Sequence, residues 1–420
     1  MTSLGFDALI TPMKRRVFFE RCFGRRSEVL RGNAERFAQL DAALDLDALT
    51  RASVVHGVTD DEYGRQTRSR VPSEDVASLH GSGVTLYGDV SGEPAADAIL
   101  QQLHRELRLG AGVGRALLSW SSPGTGLGAQ FRAHHGFVLQ LSGQTQWWFG
   151  ETPAVPWATD SGCVHGDGHA VYTTGDSARP VLGPTGATVM VPPREELRHE
   201  VLEPGDVLYL PPGTWQLSEA VDDCRALSLS PPRLSTGELI MDLLSRRLSS
   251  DAEWAADLRG PVDLEARLGA GLASLREALD ALDPVQLEHS WARRVFNAKA
   301  ARMSKRGAVS LVRRTRLQHA HPGEMHCVAM PGTDQADGGV ALFRSGMELA
   351  FPPQALRFIK GLVANERFSA REAMVWDPSM SWEATHAALN TLVQFGFVDV
   401  VSGAAGERHL RLVPSEPESR

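Results

Sequence analysis

The stretch GLGAQFRAHHGFVLQLSGQTQWWFG, residues 126–150, decides how this chain is read. Phe137–Ser142 is an apolar, β-prone run, Gly143 and Gln144 make a polar turn, and Thr145–Gly150 is a second run carrying Trp147 and Trp148. Two such runs across a short glycine turn predict paired strands. Outward from there the texture repeats: ALLSWS, TVMVPP, DVLYLPP and ALSLSPP follow one another between glycine- and proline-bearing turns. Short strands at this spacing, over residues 114–233, predict a β-sandwich or barrel. The long polar segment Thr152–Gly183 is expected to cover one mouth of it, and PREELRHEVLEPGD reads as a charged, solvated loop.

The flanks differ. Residues 1–113 are helical and mixed: Phe18, Phe19, Phe37, Leu40 and Leu44 are spaced as in helices, Val84–Tyr87 reads as a strand, and Ala95–Leu109 is an amphipathic helix with Ile99, Leu103 and Leu107 on one face. Residues 234–307 turn helical again, with Pro261 and Pro284 as breaks, and are expected to pair two copies of the chain as a homodimer or to pack on the barrel. In residues 308–413, VALFRSGMELAFP reads as a hairpin turning at Ser345-Gly346. Three helices and a closing hairpin (FVDVVS, RHLRLVP) follow, the pattern of a winged-helix domain, and residues 414–420 form a tail. The third of those helices carries Glu383, His386 and Asn390 and no Arg or Lys, so it predicts a structural or partner-binding wing rather than a groove reader.

Bulk properties narrow the classes. A chain of 420 residues exceeds a single core and suits two or three domains. A net charge of −8 argues against nucleic acid as a partner, and the pairs Lys305-Arg306 and Arg313-Arg314 read as solvated. Cys22, Cys163, Cys224 and Cys327 form no CxxC pair, the start MTSLGFDALI lacks the pattern of a signal peptide, and no apolar run reaches membrane-spanning length. A reduced, cytoplasmic protein that does not engage a membrane is the expectation.

FVLQLSGQTQWWF (Phe137–Phe149) and EPGDVLYLPPGTW (Glu203–Trp215), within this order of helical arm, β core, helical segment and C-terminal module, resemble the JmjC-type cupin oxygenases of the bacterial ribosomal-oxygenase group. The resemblance spans nearly the whole chain. It implies an α+β protein with a double-stranded β-helix (jelly-roll, cupin) core. It also implies an Fe(II) centre held by two histidines and a carboxylate, with 2-oxoglutarate as co-substrate and protein side chains as targets.

At the positions matching that pattern, the first His and the Asp fall on Gln130 and Arg132, and the second His, after the PPGTW turn, falls on Gln216. The basic residue for 2-oxoglutarate falls on Thr145, and the neighbours Gln144 and Gln146 are uncharged too. A guanidinium stays protonated and offers no lone pair. The expectation is therefore a chain with no metal, no cofactor and no catalytic residues.

Other constellations are weaker. His134 shares strand parity with Gln130 and Arg132 and is placed in the pocket, with His135 facing away. Cys163, His165 and His169 lack a fourth ligand. His319, His321, His326 and Cys327 form the densest cluster, read as either an edge hairpin or a non-standard metal site. No nucleophile elbow or P-loop is present in the sequence, and GTGLG (Gly124–Gly128) precedes a strand instead of opening a helix. Gln130, Arg132, His134, Thr145, Trp147, Trp215 and Gln216 form the expected peptide pocket, in which Arg132 takes a carboxylate or an internal ion pair.

The reading that follows is a non-catalytic protein that binds a peptide or protein and presents it to a partner modifying enzyme, as in ribosomal peptide natural-product biosynthesis. An oxygenase with other ligands, and a structural partner of an active oxygenase, are the alternatives.

Overall fold

The computed structural model describes residues 4–60, 66–80, 82–107, 114–156, 158–164, 168–172, 179–183, 186–231, 235–249, 251–252, 254–255, 263–296, 299–300, 311–320, 325–330, 338–344 and 346–401. They fall into two units, Met1–Arg233 and Leu234–Arg420. Both mix helices with antiparallel sheet, consistent with a JmjC cupin-like fold in the first.

The first unit contains β1 (Glu28–Leu30), β2 (Val55–Asp60), β3 (Gln66–Val71), β4 (Thr85–Asp89), β5 (Arg115–Ser121), β6 (Gln130–Phe131) and β7 (Gly136–Ser142). It continues with β8 (Thr145–Phe149), β9 (Gly162–Val164), β10 (Ala170–Tyr172), β11 (Arg198–Leu202), β12 (Val207–Leu210), β13 (Gln216–Ala220) and β14 (Cys224–Ser230). The larger sheet runs β1-β12-β7-β14-β5-β4-β2-β3 and the smaller β10-β9-β6-β13-β8-β11. The run at residues 137–141 is nearly continuous in apolar residues because β7 is covered on both faces. Phe137, Leu139 and Leu141 join a core with Phe6, Phe18, Phe37 and Leu40 from the N-terminal helices. Val138 points the other way, into a core with Trp147, Phe149, Leu202 and Ala226.

Several segments differ from expectation. The N-terminal arm is not wholly helical, since Glu28–Leu30 pairs with β12 at the edge of the larger sheet. Strands β2 and β3 pair antiparallel and extend the same sheet. Arg198–Leu202, expected as a solvated loop, pairs along its length with β8, with His199 against Trp148. Within TVMVPP only isolated bridges form, Leu182 to Thr188 and His169 to Met190. Inside the expected mouth-covering loop, β9 and β10 add to the smaller sheet.

Tyr209 ties the arm to the barrel. It is fully buried, accepts a hydrogen bond from the Gly24 amide at 2.8 Å and bonds His135 Nδ1 at 2.8 Å. Burial holds its phenol far above the ordinary tyrosine range. Tyr209→Phe keeps the ring, which meets Phe18 edge-on at 4.8 Å, and removes both hydrogen bonds. The expected cost is about 2 kcal/mol in denaturant unfolding, the scale for orphaning a buried polar group.

The second unit opens with helices Thr236–Leu248, Leu264–Asp280 and Pro284–Val295. One sheet orders Lys299–Ala300, Met347–Phe351, Gly339–Arg344 and His326–Met330; another orders Arg367–Ser369, Arg316–His319 and Val398–Val400. The expected hairpin turns at Gly346, whose φ of 76° suits glycine. Helices Leu356–Ala364, Ala370–Trp376 and Trp382–Gln394 match the three read from sequence, and a capping box of Ser369 and Glu372 starts the second. The second strand of the expected closing hairpin lies outside the described residues. No helix among those residues is long and apolar enough to cross a membrane.

His319 is 3% exposed, and its Nε2–H donates to the Leu362 carbonyl at 2.9 Å. Burial lowers its pKa. As pH falls through the unfolded value of about 6.5 the unfolded chain takes the proton first, so stability is lost toward acid. Melting temperatures between pH 7.5 and 5 are expected to fall less steeply for His319→Asn than for the native chain.

Candidate functional site

Both sheets of the first unit line one cavity of about 570 Å³. The larger sheet contributes His56, Arg68, Tyr87 and Ser119, and the smaller contributes Gln130, Thr145, Trp147 and Ser218. Its size lies within the range of small-molecule and side-chain pockets.

The β pairing brings the sequence-read positions together. Gln130 stands directly opposite Gln216, and Ser218 opposite Trp147, so these side chains share one face of the smaller sheet. Gln130 is 9% exposed and its Oε1 accepts from Arg68 Nη2 at 3.0 Å. Gln216 is 4% exposed on the same face but is not among the cavity-lining residues.

Arg132, two residues beyond Gln130, lines the cavity. Its backbone is fixed: the Arg132 carbonyl accepts from the Gly213 amide of the PPGTW turn at 2.8 Å. Its guanidinium forms no hydrogen bond or ion pair among the described residues, so the internal ion pair considered from sequence is not made there. Burial, and then the neighbouring charge of Arg68, pull its pKa down to about 10, which leaves it a cation at neutral pH.

Thr145 is buried and its Oγ1 lies 3.2 Å from Cys224 Sγ. Burial pushes that thiol up to about 11, so it stays protonated. Trp147 faces the cavity, with its Nε1 buried and lacking a hydrogen-bond partner. Trp148 faces the opposite way, stacked on His199 at 4.7 Å beneath the Arg194 guanidinium.

Two placements are corrected, that of Gln216 given above and that of Trp215. Trp215 does not line the cavity. It is 2% exposed in a separate core and meets Phe131 edge-on at 5.1 Å. His134 does line the cavity but sits exposed at its rim, whereas His135 is core, stacked on Phe23 at 4.1 Å.

The histidine-rich lead-in separates as well. His319 pairs with Val398 in one sheet, His326 and Cys327 pair with Phe343 and Leu342 in the other, and His321 lies outside the described residues. Likewise, Cys163 pairs with Val171 and His169 bridges Met190, while His165 is not described. Arg68 is among the cavity residues that sequence reasoning missed. It arrives from the edge strand β3, in a stretch whose polar composition carried no motif.

Comparison with known proteins places this architecture. Residues 179–239 match the JmjC domain family model. The chain is 23% identical over 271 residues to the uncharacterised protein YxbC of Bacillus subtilis, covering 60% of this chain and 78% of that one. It is 28% identical over 124 residues to the ribosomal protein uL16 3-hydroxylase of Escherichia coli, a match spanning 30% of this chain and 27% of that protein. Among solved structures, E. coli ycfD superposes with a TM-score of 0.43 at 16% identity, over 93% of this chain and 98% of that one. YcfD with cobalt and succinic acid gives a TM-score of 0.43 at 16% identity, over 93% and 99%.

Proposed function

We propose that this JmjC-type chain is a non-catalytic protein that binds a peptide or protein in its barrel cavity and presents it to a partner modifying enzyme, in a pathway such as ribosomal peptide natural-product biosynthesis. The observation that carries this reading is the Arg132 guanidinium, which lines the cavity beside Gln130 without a hydrogen bond or ion pair among the described residues. Fe(II) needs lone-pair donors and favours negative charge. A guanidinium offers neither, and the Gln130 carbonyl oxygen already accepts from Arg68 at 3.0 Å. The residues at these positions do not fit the metal, and no reaction step is derived through it. What they retain is a pocket lined by amide, hydroxyl and guanidinium donors, suited to holding polypeptide.

In this reading residues 234–307 pair two copies of the chain. Leu264, Leu268 and Leu272 are 52%, 49% and 53% exposed and recur every four residues on one helix. Residues 308–413 act as a winged-helix module facing a protein partner.

The first test is metal analysis of untagged protein, repeated after anaerobic loading with Fe(II) and 2-oxoglutarate. Less than a tenth of a metal per chain and no new absorption band support the reading; one tightly held metal per chain sinks it. A second reading, an oxygenase with non-standard ligands, is favoured by the similarity to the uL16 3-hydroxylase. It requires an oxygen-dependent mass gain on a peptide incubated with the loaded protein.

A further inference from the structure

We propose that the cavity seats a carboxylate of an acidic peptide between Arg132 and Arg68, with Gln130 as the positioning residue that holds Arg68 in place. This rests on the cavity being a binding site, and it adds the chemistry of what is bound.

The argument is one of charge balance. Five lining side chains are charged at neutral pH: Arg68, Arg115, Arg132, Asp89 and Asp160. Both carboxylates face other cations, Asp89 at 3.7 Å from Arg115 and Asp160 at 3.7 Å from Arg179. Neither Arg68 nor Arg132 has an ion pair among the described residues. Two guanidinium groups therefore share the cavity uncompensated, close enough for one to depress the ionisation of the other. A part-buried cation without a counter-charge, as Arg132 is, is costly, and the nearby charge of the exposed Arg68 adds repulsion. A ligand carboxylate removes that cost, and the planar fork of a guanidinium matches it with two parallel hydrogen bonds.

The remaining lining favours a carboxylate carried on a peptide. Ser228 offers a hydroxyl suited to a backbone amide and Trp147 an apolar face, while the Ser119 hydroxyl donates to the Ala226 carbonyl and the Ser218 hydroxyl accepts from the Leu127 amide. Arg68 is exposed, whereas Gln130 is 9% exposed. The 3.0 Å bond to Gln130 Oε1 is thus what fixes a side chain that otherwise has solvent available to it.

The experiment is thermal melting and calorimetry of the full chain with four probes: succinate, inorganic phosphate, and two hexapeptide pools identical except for Glu-Asp or Gln-Asn at two fixed positions. The Glu-Asp pool and succinate are expected to raise the melting temperature by about 3 °C at saturating concentration, and the Gln-Asn pool by less than about 1 °C. R132M and R68M are expected to abolish the response. R132M without ligand should melt no lower than the native chain, because an uncompensated cation has been removed. Q130L should weaken binding about tenfold while leaving the ranking of probes unchanged.

Equal response to both pools, a response to phosphate alone, or R132M and R68M that still respond like the native chain each overturn the seat. So does the absence of any response. R132M melting far below the native chain makes Arg132 structural; R68M then decides, and its retained response overturns the seat too. Response to succinate without response to either pool upholds the carboxylate seat and instead removes the peptide-binding reading.

Discussion

Replacing Gln130 with His, Arg132 with Asp and Gln216 with His together is expected to turn a chain that takes up no stoichiometric Co(II) into one that binds one ion per chain, with the visible absorption of a coordinated centre. The backbone for this already exists. Gln130 and Gln216 are cross-strand partners, and Arg132 lies two residues beyond Gln130, held by the 2.8 Å bond from Gly213 to its carbonyl. The triple change removes one positive charge and adds one negative charge and two imidazoles. The gain in affinity should exceed about 100-fold, since outer partners of a metal site alone are worth up to that much. Arg132→Asp by itself should recover part of it by removing the repulsion, and either Gln→His change alone very little. If the native chain binds Co(II) as tightly as the triple variant, other residues hold the metal and the non-catalytic reading falls.

The second large effect is on stability. Gly213 sits at φ 78° in the PPGTW turn, and a Cβ there would run into the backbone carbonyl of Val155. Its amide also bonds Arg132, while the Ala154 and Val155 amides bond its carbonyl at 3.0 and 3.2 Å. Gly213→Ala therefore combines left-handed backbone strain with a collision that only main-chain movement relieves. A loss of about 3–5 kcal/mol is expected, enough to leave little folded protein. Gly124→Ala is the control: its φ is 77°, but no atom lies within 4 Å of the added carbon. That variant should lose only about 1–2 kcal/mol. Equal losses in urea unfolding would show that strain alone, without the collision, sets the cost.

What was legible in the sequence follows from how each element is stabilised. Strands β7, β8, β12 and β14 were readable because their own side chains are buried, so burial is written as apolar runs. Strand β11 was not, because RHEVL is a strand by virtue of its partner. His199 lies against Trp148 and Arg198 against Phe149, and polar side chains at a sheet edge leave no periodic trace. Three-residue β1 was lost within a helical neighbourhood for the same reason. At the site, strand parity brings Gln130 opposite Gln216 and Arg132 to the cavity, but Gln216 does not line it and Trp215 lies in a separate core. Arg68 was beyond reach, since 62 residues separate it from Gln130 and only the folding of the edge strands brings them together.

Strands β2 and β3 sit at the edge of the larger sheet and, among the described residues, join it through the pairing of β2 with β4. The barrel's buried strands and one of the two uncompensated charges of its interior, Arg68, are thus written in different parts of the chain. Preference for a ligand can drift by changes in an outlying ribbon while the packed frame stays as it is. Descendants of one scaffold can in this way sort among differently charged guests without being rebuilt.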